Sequence, residues 1–252
     1  MVGRTAGSPR TAVVVGAGIV GLSTAWFLQE RGVEVTVVDR EGVAAGASWG
    51  NAGWISPALT IPLNSPAVLR YGLRSLLDPA APLHIPFTPD RALAAFLLRF
   101  AANCRRSSWR RAAQAGVPLN EECIEAYDVL VANGVDAPVT DAAITALFRS
   151  TAAAEHLVAE LRDLEQVGQT ISFTALSGAA LREQVPLASA EVTAAISVNG
   201  QRYIDPGRFV HALADSVRQR GGVIRTLEVR DVIGTGGRAT VYGRDGEALT
   251  AD

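Results

Sequence analysis

A β-branched run at residues 11–15 (TAVVV), a GxGxxG turn at Gly16, Gly18 and Gly21, and a second β-branched run closing on Asp39 predict an α/β fold. They place a Rossmann-like βαβ unit at the start of the chain. The first run suits a buried parallel strand. In GAGIVG, Gly16 permits the tight turn, Gly18 lets the backbone approach a pyrophosphate, and Gly21 lets helix and strand pack closely. IVGLSTAWFLQE, from Ile19 to Glu30, reads as a helix that Gly32 ends. Residues 33–38 (VEVTVV) read as the second strand, and Asp39 lies 18 residues after Gly21, near the spacing of a ribose-binding acid. Backbone N–H groups near Ile19 and Val20 would meet phosphate charge, while Asp39 would accept the ribose hydroxyl protons. A glycine-rich turn without a ligand is the bland alternative. The register of strand, glycines, helix, strand and acid favours an ADP-binding unit.

Composition narrows the classes further. The chain has 252 residues, 48% of them hydrophobic, which excludes a disordered protein and supplies a sizeable core. A net charge of −2 gives no global field for nucleic acid, so no nucleic-acid partner is expected. All 23 basic residues are arginine, which removes mechanisms that need a lysine Schiff base or a P-loop lysine. Abundant alanine with no lysine reads as the codon bias of a GC-rich, bacterial genome. Two cysteines, Cys104 and Cys123, and three scattered histidines give no disulfide framework and no metal site. The N-terminal MVGRTAGSPR lacks the apolar segment of a signal peptide, and no apolar run nears the ~20 residues of a membrane span. The expected location is cytoplasmic, with attachment to the inner face of the cell membrane as the alternative.

The segment after the second strand separates the two common ADP-containing cofactors. Small residues and an Asn-Ala-Gly turn in AAGASWGNAGWISP (residues 44–57) would let backbone amides run along a diphosphate toward a flavin ring. A flexible surface loop is its bland reading. VVVGAGIVGLSTAWFL, EVTVVDR and GASWGNAGWISP together resemble FAD-dependent D-amino acid dehydrogenases of the glycine oxidase and D-amino acid oxidase superfamily. The resemblance extends over RYIDPGRFVHALADSVRQRGGVIRTLEVRDV, residues 202–232. It implies FAD as cofactor, held at Gly16, Ala17, Gly18, Ile19, Val20, Gly21, Asp39, Arg40, Ala47, Ser48, Asn51, Ala52 and Gly53. It also implies a Val229 backbone contact to the adenine. It further implies oxidation of an amine carbon beside a carboxylate, with a small amino acid as substrate and a quinone or other acceptor taking the electrons.

The expected fold class is therefore α/β, a Rossmann-like FAD-binding domain with an inserted α+β substrate (cap) domain, C-terminally incomplete. Residues 10–60 form the first part of the FAD-binding domain, 61–200 the crossover and cap domain, and 201–252 the return. Six of the twelve prolines fall in residues 58–90, an irregular stretch with one short helix near residues 67–77. The pattern from Arg91 to about Asn133 reads as helix broken near Pro118. Residues 142–148 and 192–198 read as strands, and Thr151–Val167 as a helix capped by Thr151. Asp205-Pro206 reads as a helix cap. In the resembled family, the acid-ended turn at Leu249–Asp252 leads into further sheet, so the chain is expected to lack a C-terminal part, supplied by a second chain in one reading.

Candidates for the chemistry follow. Arg202 would hold a carboxylate in a bidentate pair, with Tyr203 beside it, although a surface role for Arg202 is equally open. Ser48 and Asn51 would donate hydrogen bonds at the flavin, and Trp54 would border the ring or simply pack. His84, in a proline-rich loop, reads as structural. Arg105, Arg106, Arg110 and Arg111 flank Trp109 and read as a solvated basic helix face, with a peripheral membrane contact as the functional alternative. The expected function is FAD-dependent oxidation of D-amino acids or a related secondary amino acid. A non-catalytic ADP-binding fragment, half of a split flavoenzyme and an NAD-dependent dehydrogenase are the alternatives.

Overall fold

The computed structural model describes residues 9–75 and 89–252. Its elements, in order, begin with β1 (Thr11–Val15), α1 (Ile19–Glu30), β2 (Glu34–Asp39), β3 (Trp54–Ile55) and α2 (Pro66–Ser75). The helical stretch follows as α3 (Arg91–Asn103) and α4 (Arg106–Ala132). Next come β4 (Val139–Asp141), β5 (Ile144–Phe148), α5 (Thr151–Glu165), β6 (Phe173–Ser177) and α6 (Gly178–Gln184). The chain closes with β7 (Ala194–Val198), β8 (Arg202–Ile204), α7 (Pro206–Gln219), β9 (Val223–Thr226), β10 (Val229–Thr235), β11 (Arg238–Gly243) and β12 (Ala248–Ala251). The described residues divide into two compact units, 9–55 with 125–140 and 202–252, and 56–75 and 89–124 with 141–201.

The first unit is built on a parallel sheet of order β1-β2-β9. β2 is central because its Val35, Val37 and Val38 are buried, whereas β1 ends on an exposed Val15. Two helices cover the sheet. Glycine at 222 lets the turn into β9 run against Val217 and Gln29, where a Cβ would stand 2.7–2.8 Å from their atoms. α1 and α7 bury Leu22, Ala25 and Trp26 against one another's Phe209, Val210, Leu213 and Val217. Trp26 Nε1 donates to Ser216 Oγ at 3.0 Å, and the Arg220 guanidinium lies 4.4 Å above the Trp26 ring while pairing with Glu30. Trp26 is wholly buried, so the S216A variant strands its indole N–H without an acceptor. That loss is expected to cost about 1–3 kcal/mol in urea unfolding, and a change below about 0.5 kcal/mol would show that the bond is dispensable. As expected, Asp205 caps α7, its Oδ1 accepting from Arg208 N–H at 3.0 Å, with Pro206 in the first turn.

Two smaller sheets complete this unit. β10, β11 and β12 form an antiparallel meander, its first turn made by Gly236 and Gly237, both at positive φ. β3, β8 and β4 form a short sheet in which Trp54 pairs with Tyr203 and Ile55 with Arg202.

The second unit packs helices on the antiparallel sheet β5-β7-β6. β7 is buried along its whole length, and Ile196 and Val198 meet Leu161 and Ala154 of α5. A second cluster joins Trp109 and Ala113 of α4 to Leu164. Two sequence expectations need correction here. The helical stretch breaks at Cys104–Arg105 and not at Pro118, which lies inside α4. Cys104 is buried with non-helical ψ of 57°, and the Asn103 side chain turns back to the Arg99 carbonyl, so the chain stops being helical there. The α5 cap is Ser150, whose Oγ accepts from Ala153 N–H, and not Thr151. His84 lies outside the described residues.

Candidate functional site

The turn from β1 into α1 is shaped by glycines. Gly16 takes φ of +107°, which side-chain-bearing residues rarely adopt. A Cβ on Gly21 would stand 1.9 Å from the Gly16 carbonyl oxygen, so the helix lies directly on the turn. Gly16 N–H is in turn fixed to the Val38 carbonyl at 2.7 Å, tying the turn to β2.

Asp39 holds the next residue. Its Oδ2 accepts from Ala17 N–H at 2.9 Å, and its Oδ1 accepts from Glu41 and Gly42 N–H at 2.9 and 3.0 Å. Ala17 is clamped from its other side, its carbonyl accepting from Ala44 N–H at 3.1 Å. Burial raises the Asp39 pKa and is the largest single influence. The N–H groups of Ala17, Glu41 and Gly42, with the Arg40 charge, outweigh it and hold the carboxyl below its ordinary value. Asp39 is thus an ionised acceptor that also builds the glycine turn. Beside it, Leu227 N–H donates to the Asp39 carbonyl at 2.9 Å, which brings the chain entering β10, with half-buried Val229 at its start, to this end of the sheet.

The start of α1 has no acidic residue in its first turn and no capping side chain from Gly18. One side chain does reach it: Ser48 Oγ accepts from Ile19 N–H at 3.0 Å and would meet a Cβ on Gly18 at 2.8 Å. Val20 is widely exposed. Helix N–H groups left without a capping acid, above a turn with no side chain, suit an anionic diphosphate. The ionised acid at the end of β2 suits ribose hydroxyls. The residues present therefore fit the ADP half of a dinucleotide such as FAD.

The loop that follows is organised by its own groups. Both donors of the Asn51 amide are used within it, on the Ala47 and Ser48 carbonyls at 3.1 and 3.3 Å, while its oxygen accepts from Gly53 N–H at 2.8 Å. Asn51 thus makes the turn, and Ala52 sits inside it. Gly53, at φ of +73°, is required by close approach: a Cβ there would stand 2.0 Å from the Ile204 carbonyl oxygen. The Trp49 indole packs over Gly207 at the start of α7. Arg40 is largely exposed and pairs with Glu41 at 3.3 Å.

The catalytic candidates meet in one place. Trp54 and Tyr203 stand edge to face, 5.8 Å apart and both part-exposed, with Arg202 adjacent on β8. The Arg202 guanidinium is held by Asp128 of α4. A substrate carboxylate would have to share or displace that partner, a restraint that no local pattern announces because Asp128 lies 74 residues away. Among the described residues no cluster of three metal-ligating side chains occurs.

Known proteins resemble this arrangement over nearly the whole chain. The family model described as "DAO: FAD dependent oxidoreductase" matches residues 11–251. A D-amino acid dehydrogenase of Helicobacter pylori is 25% identical over 212 residues, covering 84% of this chain and 50% of that protein. The chain thus spans about half the length of the curated relatives it matches. Among solved structures, glycine oxidase from Bacillus cereus aligns with a TM-score of 0.59 at 20% identity, over 96% of this chain and 53% of that one. L-α-glycerophosphate oxidase from Mycoplasma pneumoniae with FAD bound aligns with a TM-score of 0.62 at 16% identity, over 94% of this chain and 50% of that one. At these identities the two structures establish the fold alone.

Proposed function

The chain belongs to the DAO family of FAD-dependent oxidoreductases, and from that premise we propose that it serves in the oxidation of D-amino acids or a related secondary amino acid. The observation that carries the reading is the geometry of the glycine turn with its ionised Asp39. The α1 N-terminus would bind the diphosphate, Ser48 would orient the first helical N–H, and Asp39 would accept from the ribose. Val229 would pass its backbone beside the adenine. Bound FAD would supply the two-electron acceptor, so that the substrate C–H hydride and amine proton leave and an imine forms, which for a primary amine water hydrolyses to a keto acid and ammonia. A quinone or another acceptor would then take the electrons. The H. pylori relative, named a D-amino acid dehydrogenase, supports the substrate class.

Trp54 and Tyr203 would supply an aromatic wall, and Arg202 a cation for the substrate carboxylate. A second reading, an FAD-binding portion without its own catalytic residues, is favoured by the hold of Asp128 on Arg202. One experiment separates them. Purified protein reconstituted with FAD is expected to show a flavin spectrum that D-amino acids bleach anaerobically. A flavin spectrum that no amino acid bleaches would select the second reading, and failure to take up FAD would remove both.

A further inference from the structure

Charge is distributed very unevenly along this chain. Residues 61–120 carry eight arginines against two aspartates, a local charge of +6 in a protein of net −2. The same stretch supplies the helix whose packing is most unusual. α3 has no buried residue at all. Its half-buried stripe is Leu93, Leu97 and Phe100, and its outer face is Ala92, Ala95, Phe96, Leu98 and Arg99 rather than the polar set of a solvated helix. Phe96 is 61% exposed and Leu98 73% exposed, and Phe96 stacks on Phe100 of the same helix.

Neighbouring segments extend this surface. Asn64 Nδ2 donates to the Asn103 carbonyl at 3.2 Å, joining the approach to α2 to the end of α3, and Leu63 beside it is 71% exposed. α2 turns Arg70, Tyr71, Leu73 and Arg74 outward. Trp109, the aromatic residue within the arginine cluster, is instead buried against Ala113 and Leu164, so the exposed apolar residues come from α2 and α3. Arg106 is paired with Asp163 at 3.1 Å. Among the described residues, no ion pair holds Arg91, Arg99, Arg105, Arg110 or Arg111, all exposed.

We propose that α2, α3 and the start of α4 form a docking surface for an anionic lipid bilayer. The pairing of chemistry is specific: aromatic and aliphatic side chains that would enter the acyl boundary are rimmed by fixed cations that would meet lipid phosphates. Arginine suits this position because its guanidinium bonds phosphate bidentately and its stem lies along apolar surface. No described helix is long and apolar enough to cross a membrane, so the attachment lies on the surface of the bilayer. The proposal does not rest on the flavin reading.

Sedimentation of the full chain with vesicles tests it. Phosphatidylglycerol–phosphatidylcholine vesicles are expected to carry the protein down at low salt, phosphatidylcholine alone much less, and added salt is expected to release it. F96E/L98E, a change of two exposed side chains, and separately R110E/R111E are each expected to weaken binding by about tenfold or more while leaving the thermal transition in place. No sedimentation with anionic vesicles, or equal binding by both variants, would overturn the proposal. A dimer in solution that F96E/L98E dissociates would also overturn it, assigning the face to a second copy.

Discussion

The G21A variant is expected to lose flavin, emerging colourless from a purification in which the wild type is yellow. A methyl group at this position would lie 1.9 Å from the Gly16 carbonyl oxygen and 3.4 Å from Val14. The turn has no room to retreat, because Gly16 N–H is bonded to Val38 of the neighbouring strand. α1 must therefore lift away, taking with it the N–H groups that would face the diphosphate. An overpacking strain of about 1–3 kcal/mol falls on the turn proposed to bind the cofactor, which corresponds to an affinity loss of about fivefold to 150-fold. Flavin titration reads the affinity and a thermal melt reads the fold. Wild-type affinity in G21A would mean that the glycine turn does not hold the cofactor.

D39N is expected to be the second most damaging change, and its effect divides by pH. The asparagine keeps the size of the side chain but places an NH2 group where Ala17, or Glu41 and Gly42, now donate. At least one backbone N–H loses its acceptor, the remaining bonds lose their charge, and a bound ribose hydroxyl would lose an ionised partner. Bonds to a charged acceptor are worth about 1.5–3 kcal/mol, so FAD affinity is expected to fall by about tenfold or more. The folded-state pKa of Asp39 is lowered, so its charged form stabilises the fold. That contribution is fully present above the ordinary carboxylate value of about 3.9 and is lost as pH falls through the lower folded value. The stability difference between wild type and D39N is therefore constant near neutrality and closes in acid. A difference that instead widens as pH falls would contradict the arrangement.

The ends of the chain were far more legible than the segments that join them. β1, α1 and β2 lie within a residue of their expected bounds because β-branched runs, a 12-residue helix and glycines at both ends are local signals. The same holds for Asp205, whose capping is written in the Asp-Pro pair. In contrast, β3 and β8 have two and three residues and carry no period, and they pair across about 150 residues of chain. β6 and α6 were not anticipated, since FTALS and GAALREQ are too short and mixed to declare a period. The β10–β12 meander was visible in principle through the Gly236-Gly237 and Asp245-Gly246 turns.

Side-chain roles divide in the same way. The positions of the glycine turn and the acid were legible because sterics and spacing alone demand them. That Asp39 also clamps Ala17, that Ser48 reaches Ile19 across 29 residues, and that Asn51 spends its amide on its own loop are matters of tertiary placement. Arg202 shows this most clearly: sequence marked it as a cation that would hold a carboxylate, and the fold set Asp128 against it.

The sequence by itself determined the βαβ unit, its dinucleotide chemistry and the capped α7, because local sterics, hydrophobic period and backbone capping act over a few residues. Only the tertiary structure decided which donors and charges remain available. Burial and pairing depend on what distant segments bring. They turned Trp109 inward, left Phe96 and Leu98 exposed, and made Asp39 the keystone of its own turn through the N–H groups of Ala17, Glu41 and Gly42.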